Sequence, residues 1–259
     1  LSDARPAGET GRLDVRIARK SFPKPSGDRL EVLRDIAFTV PRGRVAAFVG
    51  PSGCGKTTML RIIAGLDRAY EGTIVQEFGG RIGMVFQEPR LLPWRTVEEN
   101  VRLVAPDASE ATLARLFETL ELAPHRAHYP GQLSLGLARR VALARAFAVE
   151  ASLLILDEPF VSLDDALAAR LRGELAKLIG SRPVTTLLVT HDVEEAIGLA
   201  DRLFLLSAGP ARIVAELPIE RRDDVSAGSR VAAIKAEVAR LTSAAGVPAT
   251  ERSAAGGRS

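Results

Sequence analysis

The sequence predicts an α/β fold: a mainly parallel sheet covered on both faces, an antiparallel β portion at the N-terminus and an inserted helical subdomain. Three observations carry this. Short apolar runs with strand character alternate with helix-period stretches through most of the 259 residues, the pattern of parallel strands joined by crossover helices. Before residue 45 such runs follow one another across turn-rich segments with no helical pattern between them. From about residue 88 to 150 the alternation stops and only helical patterns remain.

Composition narrows the class of protein. Hydrophobic residues make up 46% of the chain but aromatics only 5%, so the core is aliphatic, and large enough for one sizeable domain. The single cysteine, Cys54, excludes an internal disulfide framework and a cysteine-rich zinc site, and fits a reducing compartment. A net charge of +3 gives no reason to expect nucleic acid as a partner. No apolar run reaches the ~18–20 residues that span a bilayer, and no signal-peptide pattern opens the chain. The expectation is a soluble protein whose membrane role, if any, works through a partner.

The elements follow in order. Residues 1–12 are polar and small and are expected to be a disordered tail. Strands are expected at 13–18, 36–40 and 45–49, with turns at 22–27 and 41–43. A helix over 56–64 is closed by Gly65. Further strands are expected at 83–86, 153–156, 186–189, 203–206 and 213–217. Helical periods run through Leu167, Leu171, Leu175 and Leu178, and through Val193, Ala196, Ile197 and Ala200. In the middle region, Thr96 and Glu99 form a capping box. Ser109 caps a helix that buries Leu113, Leu116, Phe117 and Leu120, and a third helix spans 135–149. The main domain is thus 13–223. Residues 224–259 add one amphipathic helix, through Val231, Ile234, Val238 and Leu241, and an Ala/Gly/Ser-rich tail expected to be mobile.

Two motifs carry chemistry. Gly50-Pro51-Ser52-Gly53-Cys54-Gly55-Lys56-Thr57-Thr58 matches the G-x-x-x-x-G-K-S/T phosphate loop, placed between a strand and a helix. Its glycines let backbone N–H groups turn inward around phosphates, and the helix N-terminus adds partial positive charge. Lys56 reaches the β- and γ-phosphates, and Thr57 offers its hydroxyl to Mg²⁺. The second motif is the apolar run 153–156 followed by Asp157 and Glu158. A strand buried on both faces cannot hold carboxylates in its interior, so both acids belong at its end, where ligands of α/β sheets gather. Asp157 would hold Mg²⁺ and Glu158 would polarise an attacking water.

The order of these motifs, with Gln87, Leu133-Ser134 and Gly136, Ser162-Leu163-Asp164 and Thr190-His191-Asp192, resembles the ATP-binding cassette family of transporter ATPases over about residues 13–217. The resemblance implies a P-loop NTPase core that hydrolyses ATP with Mg²⁺, and further roles. Phe22 would stack on adenine. Gln87 would link the Mg²⁺ site to the helical subdomain. Asp164 would communicate across a dimer, and His191 would contact the γ-phosphate and orient water. Two copies would pack head to tail, with the phosphate loop of one facing Ser134 and Gly136 of the other. The partners implied are membrane permease subunits, and indirectly a solute-binding protein, with this chain peripheral on the cytoplasmic face of the inner membrane.

Finer resemblances and departures follow. Residues 86–97 are similar to the nitrate, sulfonate and taurine importer branch, which makes Leu91, Leu92 and Trp94 an apolar docking patch for a permease; packing within the helical subdomain is the alternative for Trp94. The family's Leu-Ser-Gly-Gly-Gln signature reads Leu133-Ser134-Leu135-Gly136-Leu137 here, so a hydroxyl and a backbone N–H remain while Leu135 adds bulk and Leu137 removes an amide. His125 and His128 read as solvated loop residues, and Cys54 as a permissive loop position open to modification. A soluble assembly ATPase and a small-molecule kinase stay open as rival readings.

Overall fold

In the computed structural model, residues 11–161, 163–181, 184–219 and 227–244 are described. Ser162, most of the N-terminal tail and the last residues of the chain, each the subject of an expectation above, lie outside the described residues.

The N-terminal β portion forms a three-stranded antiparallel sheet. Strands β1 (Arg12–Pro23) and β2 (Arg29–Pro41) pair from Arg12↔Pro41 to Pro23↔Arg29, and β4 (Glu71–Gln76) covers the other side of β1. Alternation decides which face is buried: Leu13, Val15 and Ile17 of β1, with Ile36, Phe38 and Val40 of β2, turn inward while Arg12, Arg16 and Ala37 face out. The expected turn at 22–27 starts only after Pro23, because Phe22 and Pro23 still pair in the β1 ladder, opposite Leu30 and Arg29.

The main sheet has the order β5-β6-β7-β3-β8-β9, formed by β3 (Val45–Val49), β5 (Arg81–Val85), β6 (Ala151–Asp157), β7 (Thr185–Thr190), β8 (Arg202–Leu206) and β9 (Ile213–Pro218). All neighbours are parallel except β8 and β9, because the short link 207–212 permits only an antiparallel return. Central strands β3, β6 and β7 are buried on both faces, hence their continuous apolar runs.

Those two faces feed two cores. Ala46, Phe48, Leu153, Ile155, Leu187, Val189 and Phe204 pack with the inner side of the antiparallel sheet and helix α1 (Lys56–Ile63). Phe48 lies between Phe38 and Phe204, with ring centroids 4.8 and 5.0 Å away; such ring pairs contribute about 0.5–1.5 kcal/mol each beyond their burial. On the opposite face, Val45, Ala47, Val49, Leu154, Leu156, Leu188, Leu203 and Leu205 meet the helices. These are α2 (Val97–Arg102), α3 (Glu110–Thr119), α4 (Leu135–Ala148), α5 (Asp165–Ser181), α6 (Val193–Leu199) and α7 (Ala227–Ala244).

The helical middle is held by the caps its sequence predicts. Thr96 Oγ1 accepts from Glu99 N–H at 3.2 Å, Glu99 answers on Thr96 N–H at 2.7 Å, and Ser109 caps α3. Buried Asn100 ties α2 to the segment before it, taking Leu92 N–H at 2.9 Å and giving its amide to the Leu92, Arg95 and Thr96 carbonyls. On α3, Leu113 and Phe117 are buried as expected, with Leu120 at its C-cap, while Leu116 is half-buried. Leu167, Leu171 and Leu175 line the buried side of α5; the Leu178 side chain lies outside the described residues. On α7, Val238 is buried and Ile234 and Leu241 pack partly against the same core.

Candidate nucleotide site

Gly55 begins the site, because the chain must turn there from loop to helix. It is the N-cap of α1 with φ at 124°, a conformation that L side chains rarely adopt, and a Cβ would stand 2.8 Å from Leu33 Cδ2. No side chain caps α1, so its first-turn N–H groups stay directed at the loop. At its other end, Gly65 with φ at 73° closes the helix, giving its N–H to Ile62 O at 2.9 Å while Leu66 bonds back to Arg61 O. Lys56 is buried under the loop, its ammonium donating to Gly50 O at 2.7 Å and Pro51 O at 2.8 Å.

Strand order then gathers the other groups. The carboxyl ends of β5, β6, β7 and β3 lie side by side, with Val85 opposite Leu156, Asp157 opposite Val189 and Val49 opposite Thr190. Gln87, Asp157, Glu158, His191 and the loop at 50–58 therefore emerge along one edge of the sheet. Ser52, Gly53, Gly55, Lys56, Thr57 and Thr58 line one cleft together with Gln87 and Glu158.

Asp157 is almost fully buried beside the Thr57 side chain, and its Oδ2 has no hydrogen-bond partner. Burial pushes its pKa up, with the charge of Glu158 adding to the effect, against the Thr57 hydroxyl and Lys56. A carboxylate and a hydroxyl together, with one buried oxygen left over, fit a hard divalent cation that takes oxygen ligands. Thr57 and Asp157 would hold it, with Gln87 on the same cleft.

Glu158 has φ at 49°, unusual for a residue with a side chain, and its N–H donates to Val189 O at 2.9 Å. That turn brings its Oε2 to 3.5 Å from His191 Nδ1. A carboxylate within reach of an imidazole, beside a phosphate loop, can accept a proton from water while the imidazole steadies an anionic group.

Other expected residues stand apart from this cleft. Ser134 is the N-cap of α4, its Oγ accepting from Leu137 N–H at 3.2 Å, with Gly136 in the first turn. The Leu137 side chain packs against the core, whereas Leu135 is 55% exposed. Asp164 precedes α5 and takes Leu167 N–H at 2.9 Å. Phe22 is 39% exposed, and the buried Lys20 ammonium lies 4.5 Å from its ring centroid, fixed by Asp67 and Ala69 O.

Three expectations are corrected. Cys54 is buried, and burial pushes its thiol pKa up, so it is held as an unreactive thiol, closed to modification. His125 and His128 are half-buried with ring centroids 5.1 Å apart, and His128 O takes Val97 N–H, so they brace α2 instead of standing in solvent. In the docking segment Leu91 packs against the core and Leu92 is half-buried, its backbone held by Asn100, so that of the three only Trp94 is exposed, at 69%.

A phosphate loop, a buried acid beside it and a second acid facing a histidine define a nucleotide-hydrolysing cassette. Comparison with known proteins agrees: the family model described as ABC transporter matches residues 33–161. Aliphatic sulfonates import ATP-binding protein SsuB 2 of Burkholderia cenocepacia is 39% identical over 251 residues, 92% of this chain and 91% of that protein. SsuB of Bacillus licheniformis is 40% identical over 217 residues, 80% of this chain and 85% of that protein. Among solved structures, the dimeric post-hydrolysis state of the ATP-binding cassette MJ0796 bound to ADP and Pi superposes with a TM-score of 0.71 at 27% identity, covering 81% of this chain and 100% of that one. The chain belongs to the ABC transporter family, as an ATP-binding subunit with ATPase activity. No helix among the described residues is long and apolar enough to cross a membrane.

Proposed function

We propose that this chain powers an importer of aliphatic sulfonates, working as two copies packed head to tail against a permease on the cytoplasmic face of the membrane. The observation that carries the solute class is the identity of 39% across 92% of the chain to a protein named for aliphatic sulfonate import. Nitrate and taurine, the other solutes of the branch, have no such support. A solute-binding protein would deliver the sulfonate to the permease, and nucleic acid has no part.

In this reading the loop at 50–58 wraps the phosphates, and Lys56 exchanges its two carbonyl partners for phosphate oxygens. Phe22 offers an exposed ring to adenine. Thr57, Asp157 and Gln87 would hold Mg²⁺, which would supply positive charge opposite the phosphates. Glu158 takes a proton from the attacking water, and His191 orients that water toward the γ-phosphate. Ser134 and Gly136 of one copy face the nucleotide of the other, with Asp164 beside the shared interface.

The test is reconstitution with the permease and solute-binding protein of an aliphatic sulfonate importer from the same organism. ATP hydrolysis stimulated by ethanesulfonate, and not by nitrate, is the expected result. Stimulation by nitrate alone would overturn the solute class, and absence of any permease association would favour a soluble assembly ATPase.

A further inference from the structure

Glu195 takes no part in the reading above, yet few carboxyls in the molecule are placed so unusually. It lies in the first turn of α6 and is only 6% exposed, on a helix whose Ala196 and Leu199 belong to the apolar core. Its Oε2 accepts the Thr190 hydroxyl proton at 2.7 Å, while Oε1 has no hydrogen-bond partner. A buried carboxyl that uses half its capacity costs the fold free energy, and burial raises its pKa to about 7. An apolar side chain would suit the packing better.

What the carboxyl holds explains its presence. Thr190 is the last residue of β7 and fully buried, and its hydroxyl oxygen accepts Asp192 N–H at 3.0 Å. Asp192 in turn caps α6 through Glu194 N–H at 2.8 Å and Glu195 N–H at 3.4 Å. The chain Glu195–Thr190–Asp192 closes a small ring around His191, fixing the residue before it and the residue after it. With both flanking residues tied, the imidazole direction is set by very few torsions, and it points at Glu158, 3.5 Å away. Remove the carboxyl and the Thr190 hydroxyl can rotate to another acceptor, which frees the Asp192 N–H.

We propose that Glu195 is a positioning residue for ATP hydrolysis, holding His191 in line with Glu158 through the Thr190 hydroxyl. The catalytic half of this rests on the roles given above to Glu158 and His191; the positioning half does not.

The experiment separates them. The chain has only three histidines, His125, His128 and His191, so the imidazole NMR signals of the whole protein can be assigned with one His191→Gln variant. In Glu195→Ala the His191 signal should shift or broaden while those of His125 and His128 stay in place. Glu195→Gln, whose amide oxygen still accepts the Thr190 proton, should keep the wild-type signal. In steady-state assays Glu195→Ala and Thr190→Val should each lower kcat about tenfold with the ATP KM changed less than about twofold, Glu195→Gln should recover most of the rate, and the double variant should be no worse than either single one. A His191 signal unmoved in Glu195→Ala overturns the proposal, whatever the rate. A signal that moves with kcat unchanged refutes the catalytic half and leaves Glu195 a purely structural clamp. Wild-type hydrolysis rates in both Glu158→Gln and His191→Gln, with the NMR response intact, would instead count against the roles of Glu158 and His191 and leave the positioning half standing.

Discussion

His191 Nδ1 stands 3.5 Å from the Glu158 carboxylate, although the two residues leave different strands, β7 and β6. The contact exists because Glu158 adopts a left-handed backbone conformation and spends its N–H on Val189 O, which swings its side chain toward the neighbouring strand end. Strain of this kind persists only where surrounding structure imposes it. It turns an acid at a strand terminus into one aimed at the phosphate cleft.

Glu158→Gln tests that aim. The amide keeps the size of the side chain and leaves the phosphate loop untouched, but cannot accept a proton. ATP binding should persist while hydrolysis slows by ~10²-fold or more, and an ATP-bound dimer should accumulate, visible by size-exclusion chromatography. Hydrolysis at the wild-type rate would show that another group takes the proton.

The parts of this site that the sequence made legible are those whose physics is local. A phosphate loop needs glycines where φ is positive, an apolar strand before it and a helix after it, and all three lie within residues 45–63. Asp157 and Glu158 were legible because an apolar run buried on both faces admits carboxylates only at its end. Strand β4 was not foreseen: it pairs only with β1, at an edge, and most of its side chains are exposed, so no apolar alternation marks it. The part-buried pair Lys20–Asp67 and the buried pair Glu195–Thr190 were hidden for a different reason. Glu194-Glu195 looks like an ordinary acidic first turn, and only the packing of α6 on the sheet distinguishes the second acid from the first.

That burial has a pH signature. In the fold the Glu195 pKa is raised from 4.5 to about 7, by burial above all and by Asp192 and Glu158, with Thr190 and Arg172 opposing. Below pH 4.5 the group is protonated in both folded and unfolded chains and contributes nothing. Between 4.5 and about 7 folding takes up a proton, so stability falls as pH rises; above about 7 the penalty is complete. At 1.36 kcal/mol per pKa unit it amounts to roughly 3 kcal/mol at most. Glu195→Gln does not titrate, so its unfolding free energy relative to wild type should rise from pH 5 to pH 8. Parallel denaturation profiles across that range would show that Glu195 is ionised in the fold at ordinary cost.

Trp94 is held at its base and free at its tip. Asn100 pins the backbone around it, Leu91 enters the core, and the indole is left 69% exposed. Packing within the helical region is thereby excluded as the reason for a tryptophan here. Trp94→Ala should change unfolding free energy by no more than about 0.5 kcal/mol yet reduce co-purification with the permease, since a buried aromatic anchor contributes about 2 kcal/mol or more to an interface. A variant that melts early, or one that binds the permease as well as wild type, would remove Trp94 from the docking surface.

The altered signature yields the last prediction. Ser134 caps α4 by accepting Leu137 N–H, so its hydroxyl proton remains available for a phosphate oxygen. Leu137 turns its side chain into the core, and the amide that the family usually carries there is replaced by packing. Leu135 does the opposite: at the first helical position it is 55% exposed and absent from both core clusters. A leucine that belongs to neither core cluster among the described residues contributes little to folding, so Leu135→Gly should cost no more than about 1 kcal/mol, the helix penalty of glycine. Its effect on the paired copies depends on where the side chain goes when a second cassette approaches. Because it is already exposed to solvent at the first helical position, it should clear the nucleotide. ATPase activity of Leu135→Gly should then stay within about twofold of wild type, a change of less than about 0.5 kcal/mol in barrier. The sensitive measurement is ATP-dependent dimerisation of Leu135→Gly in the Glu158→Gln background, by analytical ultracentrifugation. Equal affinity supports a leucine that clears the site; clearly tighter dimers would mean that Leu135 crowds the opposing phosphates and weakens closure.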